Sequence, residues 1–363
     1  MGATLLRFAR KIVTPPKTHD YPVRILGVDR ANAQIVLSDT PGTRLPGRYG
    51  LWFGQDAGYL RFGEIVSHRP GRVVRELEEI VSGTPRAGLP ARDVGWFYLG
   101  PWELGLRYEE VHVPTELGPA PAWWVHPETP SRPGEWVVHV HGRTAERPET
   151  LRAVAVAAAA GYESLVISYR NDRGAPRALD GRYALGLDEA KDVLAAVKFA
   201  KANGAERVVL WGWSMGGLAV LRAALDAQRT EGLPLLTGIV LESPALNWPN
   251  ILQHHAKLLH LGGASGAAVS AILASRFAPH AVGLAKPLDW DELDGVRIGR
   301  ALPLPILMLH SADDPYVPVA PADELGTAKN VRYERFEGAG HTRLWNYDPE
   351  RWERVTRAFL DER

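Results

Sequence analysis

The chain has 363 residues, of which 45% are hydrophobic and 23% charged, and its 42 basic side chains equal its 42 acidic ones. A formal net charge of zero gives no support to nucleic-acid binding, and the absence of cysteine excludes disulfides and thiolate chemistry. No apolar run approaches the roughly 18 residues that a membrane span requires, so we expect no stable membrane insertion. The lack of cysteine suits a reducing compartment, and we expect a cytoplasmic protein.

The N-terminal part of the chain predicts β structure. Residues 5–13 are basic and amphipathic, which favours a short surface helix over a secretory signal. From about residue 20 to residue 104, short runs rich in branched and aromatic residues alternate with Gly, Pro, Asp and Asn, a pattern typical of antiparallel strands. We therefore predict an N-terminal β-rich domain over residues 1–104, which carries no motif that assigns a function.

From residue 105 onward the pattern changes to strands that alternate with helices. Such alternation predicts an open, mostly parallel sheet over residues 105–363, with helices on both faces. The strand candidates are Arg107–Val113, Ala122–His126, Trp136–His141, Ser164–Tyr169, Arg207–Trp211, Gly238–Glu242, Pro305–Leu309 and Val331–Phe336. The helix candidates are Glu149–Ala160, Gly186–Ala202, Gly217–Gln228, Ala320–Thr327 and Pro349–Leu360.

One connection in this second part is too long for a simple crossover. About sixty residues separate the strand that ends at Glu242 from the one that begins at Pro305, and they contain helical stretches around a glycine-rich hinge. We predict a lid insertion over about residues 245–302. It would cover the carboxyl edge of the sheet, where open α/β sheets bind ligands.

The pentapeptide Gly-Trp-Ser-Met-Gly at residues 212–216 is the most informative motif. It follows the apolar run Arg207–Trp211 and precedes the helix-compatible stretch Gly217–Gln228. A strand that turns through Gly-x-Ser-x-Gly into a helix is a nucleophile elbow, in which the serine is held at the strand tip. The pentapeptide alone is a weak signal, but its setting predicts Ser214 as a nucleophile.

A serine nucleophile needs a histidine base and a carboxylate that orients the histidine. In chains with this elbow the order is serine, acid, histidine. Two adjacent acid candidates, Asp313 and Asp314, follow the strand Pro305–Leu309. His341 is the only histidine beyond them, so the order leaves it as the base for Ser214.

These pieces together resemble the α/β-hydrolase superfamily, and within it the serine esterases and acylaminoacyl-peptidase-like enzymes. The resemblance covers residues 105–363 and implies a mostly parallel eight-stranded sheet flanked by helices, with a helical lid. The motifs that carry it are Val137–Gly142, Gly212–Gly217, Asp314–Pro318 and Gly340-His341.

The family pattern also implies roles for single residues. It places the acid three residues before Val-Pro, which selects Asp314 and leaves Asp313 as the alternative. An oxyanion hole needs two convergent backbone N–H donors. The first is Met215, directly after the nucleophile, and the resemblance implies Arg143 as the second. The side chain of Arg143 is open to two interpretations, a contact with a substrate carboxylate or a solvated or glutamate-paired arginine.

Other candidates have mainly structural interpretations. His139 and His141 share one strand face, but the neighbouring residues offer no further metal ligands, so we expect no metal site. The lid carries three histidines that would be surface or lining groups, and two tryptophans flank it that would pack or line an acyl pocket. The segment 169–172 follows a strand on the same edge and is expected to hold the loop around the site. The histidines are His254, His255 and His260, and the tryptophans are Trp248 and Trp290.

The sequence therefore predicts a cofactor-free serine hydrolase that cleaves carboxylic esters through an acyl-enzyme on Ser214. Esters are favoured because alkoxide leaving groups demand less of the enzyme than amines. Two alternatives stay open: an acylaminoacyl-peptidase-like peptidase, and a hydrolase-fold binding protein without activity. The expected partner is a small ester or acyl substrate. The domain over residues 1–104 would narrow the active-site mouth or form a dimer or docking surface, which leaves homo-oligomerisation open.

Overall fold

A computed structural model describes residues 2–129, 131–230 and 235–363, and the chain begins with an amphipathic helix. Helix α1 (Gly2–Val13) buries Phe8, Ala9, Ile12 and Val13. The helix predicted over residues 5–13 is therefore present, but it is not a simple surface helix. Its apolar face packs against helices of the insertion described below. Apolar side chains at helical spacing form a stripe on one face of the helix, and this stripe is removed from water only when another element covers it.

A closed antiparallel barrel of six strands follows, in the order β1-β2-β5-β4-β3-β6. The barrel closes where β6 pairs with β1. Branched and aromatic side chains fill its interior, and β1 and β2 show the alternation of buried and more exposed residues that one buried face requires. The strands are β1 (Val23–Asp29), β2 (Gln34–Ser38), β3 (Tyr49–Phe53), β4 (Gly58–Arg69), β5 (Arg72–Ser82) and β6 (Pro90–Val94).

One arginine is fully buried inside this barrel. The guanidinium of Arg75 donates to the carbonyl oxygens of Gly63 at 2.7 Å, Thr43 and Leu45 at 2.8 Å, and Gly47 at 2.7 Å. A buried charge is tolerated when its donors are satisfied in this way. Arg75 therefore holds the loop between β2 and β3 against the barrel.

The second part of the chain forms an eight-stranded sheet in the order β14-β13-β12-β11-β9-β10-β8-β7. Strands β9 to β14 run parallel, and β8 and β7 complete one edge in antiparallel pairing. This confirms the predicted α/β-hydrolase fold with a mostly parallel eight-stranded sheet. The strands are β7 (Tyr108–Thr115), β8 (Gly118–Val125), β9 (Glu135–Val140), β10 (Glu163–Ile167), β11 (Arg207–Trp213), β12 (Leu236–Glu242), β13 (Ile306–Ser311) and β14 (Val331–Phe336).

Helices cover both faces of the sheet and enclose two apolar cores. One face carries α2 (Leu151–Ala159), α10 (Leu344–Tyr347) and α11 (Pro349–Asp361). The opposite face carries α3 (Glu189–Ala202), α4 (Met215–Thr230) and α9 (Ala320–Leu325). Two short 3-10 turns lie elsewhere in the chain, at Pro101–Leu104 and Arg147–Thr150. In the described residues, no helix is both long enough and apolar enough to cross a bilayer.

Four helices fill the long connection between β12 and β13. They are α5 (Trp248–Leu258), α6 (Ser265–Ala274), α7 (Ala278–Val282) and α8 (Gly295–Ala301). Helix α6 packs against α5, α7 and the N-terminal α1. The N-terminus of the chain and this insertion therefore form one layer, although they are far apart in sequence.

We expect Arg75→Met to destabilise the barrel by about 3 kcal/mol, because it leaves several buried carbonyl groups without donors. The change is measurable as a shift of the barrel's transition in urea denaturation. The matched control is Arg72→Met, which removes an exposed arginine from the same strand. Equal stability of the two variants would contradict the role given to Arg75.

Candidate active site

Ser214 lies at the turn between strand β11 and helix α4, where its φ of 51° falls in the left-handed region. Its backbone is fixed by neighbours, since its N–H donates to the carbonyl of Glu242 at 2.9 Å. A side chain at Gly212 would bring its Cβ to 2.5 Å from the carbonyl oxygen of Gly216. The turn therefore requires glycine there, and it holds Ser214 in a conformation that costs about 1–2 kcal/mol.

The side chains of Ser214, His341 and Asp314 form a continuous hydrogen-bonded chain. His341 Nε2 lies 2.9 Å from Ser214 Oγ, and His341 Nδ1 lies 2.6 Å from Asp314 Oδ2. An ionised carboxylate only accepts, so the imidazole proton is on Nδ1. Nε2 is then free to accept the hydroxyl proton of Ser214.

Asp314 is held as an anion at the base of this chain, with its side chain fully buried. Its Oδ1 accepts from the amides of Tyr316 at 2.8 Å and Val317 at 2.9 Å. Burial alone would raise the pKa of Asp314, but His341 and the hydrogen bonds outweigh it and lower the pKa. Burial likewise opposes a charged imidazole, yet Asp314 raises the pKa of His341 above its ordinary value of 6.5.

Asp313, the alternative acid, has a different place. Its side chain is exposed, and its Oδ2 accepts from the amide of Gly338 at 2.7 Å. It therefore fastens the loop that leads to His341, while Asp314 contacts the imidazole itself. Both aspartates support the position of His341, but the structure brings only Asp314 against the ring.

The backbone of Gly142 is held by buried groups at its amide and at its carbonyl. The Gly142 carbonyl accepts from Tyr169 Oη at 2.8 Å and from His141 Nδ1 at 2.9 Å, and the Gly142 amide donates to Glu149 Oε2 at 2.7 Å. In a trans peptide the carbonyl and the next N–H point in opposite directions. Fixing the Gly142 carbonyl therefore also fixes the direction of the Arg143 N–H.

A buried ion pair between His141 and Asp172 supports this arrangement of Gly142. Both ring nitrogens of His141 face acceptors. Nδ1 faces the Gly142 carbonyl, and Nε2 lies 2.8 Å from Asp172 Oδ2. Burial opposes a charged ring, but Asp172 outweighs it and raises the pKa of His141. The segment after β10, predicted to hold the loop around the site, contributes Asp172 and Tyr169 to it.

Among the described residues, neither of the two amides expected to stabilise an oxyanion donates to an internal acceptor. Met215 is the first residue of α4, where an amide has no acceptor one turn back. In the part of the chain that the structure describes, no acceptor is bonded to the Arg143 amide. Gly142 packs close beneath Ser214, where a Cβ would lie 3.1 Å from the serine Cβ. Both amides therefore flank the serine with their donors unused.

A cavity of about 340 Å³ opens beside Ser214 and His341. The barrel contributes Asp93 and the segment that follows it, and helix α1 contributes Ile12. The insertion adds Trp248 from α5. The volume is within the range of small-molecule sites, and its walls come from all parts of the chain.

The remaining candidates divide between the cavity and the core. His255 lines the cavity and bonds the carbonyl of Tyr316 at 3.0 Å, while His254 bonds that of Pro315 at 2.9 Å. Trp290 instead packs in the insertion, where its indole donates to Ser270 at 3.3 Å.

His139 lies apart from the serine chain, in the sheet core. Burial lowers its pKa to about 3, and its Nε2 lies 3.1 Å from Ser164 Oγ. Among the described residues there is no cluster of three or more histidine or carboxylate side chains suited to a metal ion.

Sequence reasoning missed a set of contacts that anchor the loop after His341. Arg152, fully buried on α2, donates to the Thr342 carbonyl at 3.2 Å and to Asn346 Oδ1 at 2.5 Å. Asn346 in turn donates to the carbonyl of Gly95, just beyond the barrel, at 3.0 Å. The signal was an arginine within an otherwise apolar, alanine-rich helix, which indicates a buried polar contact but not its partner.

We expect Asp314→Asn to lower the pKa of His341, because burial then acts without the opposing anion. The matched variant Asp313→Asn should leave that pKa unchanged, since Asp313 does not contact the ring. Histidine ring signals followed by NMR against pH measure both values, with assignment from the signal lost in His341→Gln. Equal shifts in the two aspartate variants would contradict the assignment of Asp314.

Comparison with known families finds two matches in this chain. The profile of the alpha/beta hydrolase family matches residues 137–355, and that of a domain of unknown function (DUF8805) matches residues 24–92. No curated protein matches the chain.

A solved structure has the same fold, and a second one is similar at a lower TM-score. An esterase from Pyrococcus furiosus is similar with a TM-score of 0.55 and 19% identity, over 73% of this chain and 94% of that one. A thermophilic esterase from Thermogutta terrifontis is similar with a TM-score of 0.49 and 18% identity, over 70% and 98% of the two chains. The hydrolase profile spans more than half of the chain and confirms the resemblance drawn from the motifs. The protein belongs to the α/β-hydrolase family.

Proposed function

We propose that this α/β-hydrolase is a serine hydrolase that cleaves carboxylic esters through an acyl-enzyme on Ser214. The observation that carries the proposal is the hydrogen-bonded chain in which His341 lies 2.9 Å from Ser214 Oγ and 2.6 Å from the buried Asp314. A hydroxyl becomes a useful nucleophile when a base within hydrogen-bond reach takes its proton. Residues far apart in sequence meet here in the order that this chemistry needs.

The reaction proceeds in two halves. Ser214 Oγ attacks the ester carbonyl carbon while His341 Nε2 takes the hydroxyl proton, and the carbonyl oxygen becomes an oxyanion. Collapse of this intermediate breaks the bond to the alcohol, which leaves with the proton from His341. Water then attacks the acyl-enzyme, again with His341 as base, and releases the acid and free Ser214.

The oxyanion is stabilised by the unused amides of Met215 and Arg143. Donors that are already oriented cost no reorganisation as the negative charge develops, and one such donor contributes about 3–4 kcal/mol in well-studied cases. Tyr169 and Glu149 give this orientation to the Arg143 amide by holding Gly142 on both sides. They are positioning residues, because they act through the peptide rather than on the substrate.

The shape of the site favours small esters over peptides. The cavity holds about 340 Å³, and the barrel that borders it is a small six-stranded domain. We propose that the barrel narrows the mouth of the site and that helices α5 to α8 form its lid. The P. furiosus protein of the same fold is an esterase, and an alcohol is the easier leaving group.

The proposal predicts hydrolysis of short-chain activated esters such as p-nitrophenyl butyrate. Ser214→Ala and His341→Ala should each lower kcat by roughly 10⁴- to 10⁶-fold, because each removes a group that acts in the transition state. Asp313→Asn, the matched control, should retain most of the activity. Only the neutral imidazole can take a proton, so kcat/KM should rise with pH through an apparent pKa above 6.5.

Two results would contradict this proposal. One is ester hydrolysis at the same rate by the purified protein and by Ser214→Ala. The other is a protein that cleaves no ester although its circular dichroism and thermal unfolding show the native fold.

A further inference from the structure

The side chain of Arg143 lies in the cavity beside Ser214 without an ionic partner. In the described residues no carboxylate oxygen lies within 4.0 Å of its guanidinium nitrogens, and its one hydrogen bond is a long one of 3.4 Å from Nη1 to the carbonyl of Ile12. The glutamate pairing considered from the sequence is therefore not formed there. Most of the five donors of this guanidinium are left for another acceptor.

The other charged side chains of the cavity are already engaged. Arg92 pairs with Asp56 through two contacts of 3.0 and 3.2 Å, and Arg343 pairs with Asp93 at 2.5 Å. The carboxylate of Glu149 is bonded to the Gly142 amide and to the hydroxyl of Thr342. Arg143 thus contributes a positive charge that its surroundings do not balance.

Structural arginines in this protein look different. Arg152 and Arg75 are both fully buried, and the guanidinium of each donates to three or more acceptors. Burial without a nearby anion lowers the pKa of Arg143, which marks its charged form as destabilised by its site. An anionic ligand would relieve this cost, because charge-assisted guanidinium–carboxylate bonds are among the strongest polar contacts.

We infer that Arg143 binds a carboxylate of the substrate, so that the preferred substrates are short esters with a free carboxylate near the scissile bond. The inference rests on the proposed function and specifies its substrate class. The backbone of Arg143 then stabilises the oxyanion while its side chain binds the substrate carboxylate. One residue therefore contacts both the carboxylate and the reacting carbonyl group. One unbalanced positive charge matches a monoanionic carboxylate better than a dianionic phosphate.

A structural role for Arg143 makes a different prediction. The bond to Ile12 reaches the last turn of helix α1, where a cation stabilises free carbonyl groups. At 3.4 Å this bond is longer than the usual 2.9–3.0 Å. If capping were the main role, removing the side chain would loosen α1 and lower activity on every ester alike.

The test compares monoethyl succinate with ethyl butyrate. The two esters differ by one group, because monoethyl succinate carries a carboxylate where ethyl butyrate carries a terminal methyl. We expect the native protein to prefer monoethyl succinate in kcat/KM. Arg143→Met should lower the ratio of kcat/KM for monoethyl succinate to kcat/KM for ethyl butyrate roughly 10- to 100-fold, as expected for the loss of a hydrogen-bonded charge pair. The control Arg86→Met removes an exposed arginine from a barrel loop and should change neither value.

The outcomes separate this inference from the proposed function. Equal loss on both esters in Arg143→Met, or no loss on either, would overturn the inference and leave the esterase proposal intact. Failure of the native protein to cleave either ester would count against the proposed function.

A binding measurement tests the inference without any turnover. Calorimetry should show that Ser214→Ala binds monoethyl succinate, which carries a single carboxylate, that the added Arg143→Met change weakens binding at least tenfold, and that inorganic phosphate binds more weakly. Affinity for monoethyl succinate that is independent of Arg143, or tighter binding of phosphate, would overturn the inference.

Discussion

The site depends on one constraint, which is that the imidazole of His341 is held between a buried carboxylate and a hydroxyl. A buried carboxylate is costly unless it is paired and hydrogen-bonded. Asp314 meets this condition with two backbone amides on one oxygen and the imidazole on the other. The same contacts orient the ring toward Ser214, so the stability of the anion and the alignment of the base have one cause.

The loop that carries His341 is anchored on one side by the N-terminal barrel and its flanks. Arg343 pairs with Asp93 on the last barrel strand, and Asn346 bonds the backbone at Arg48 and Gly95. The barrel therefore borders the cavity and also helps to position the imidazole of His341. A domain without any recognisable motif thus takes part in the site through backbone and charge contacts. Its removal would affect both the cavity wall and the position of His341.

The chain order of the site was predictable because each of the three hydrogen-bonded side chains follows a strand whose carboxyl end meets the same edge of the sheet. Ser214, Asp314 and His341 are all of this kind. The closed barrel was not predictable, since closure depends on the pairing of β6 with β1 and short alternating runs do not specify it. The isolation of the Arg143 guanidinium also depends on three-dimensional surroundings. Asp313 and Asp314 are chemically identical neighbours, and their difference arises from which one the turn directs inward.

The central claim is that Ser214 is an activated nucleophile, and covalent labelling tests it most directly. Incubation with a fluorophosphonate, followed by intact-protein mass spectrometry and peptide mapping, should show one adduct on Ser214. The adduct should form far more slowly in His341→Gln, because the base is lost. An unlabelled native protein, or the same adduct mass on Ser214→Ala, would contradict the account.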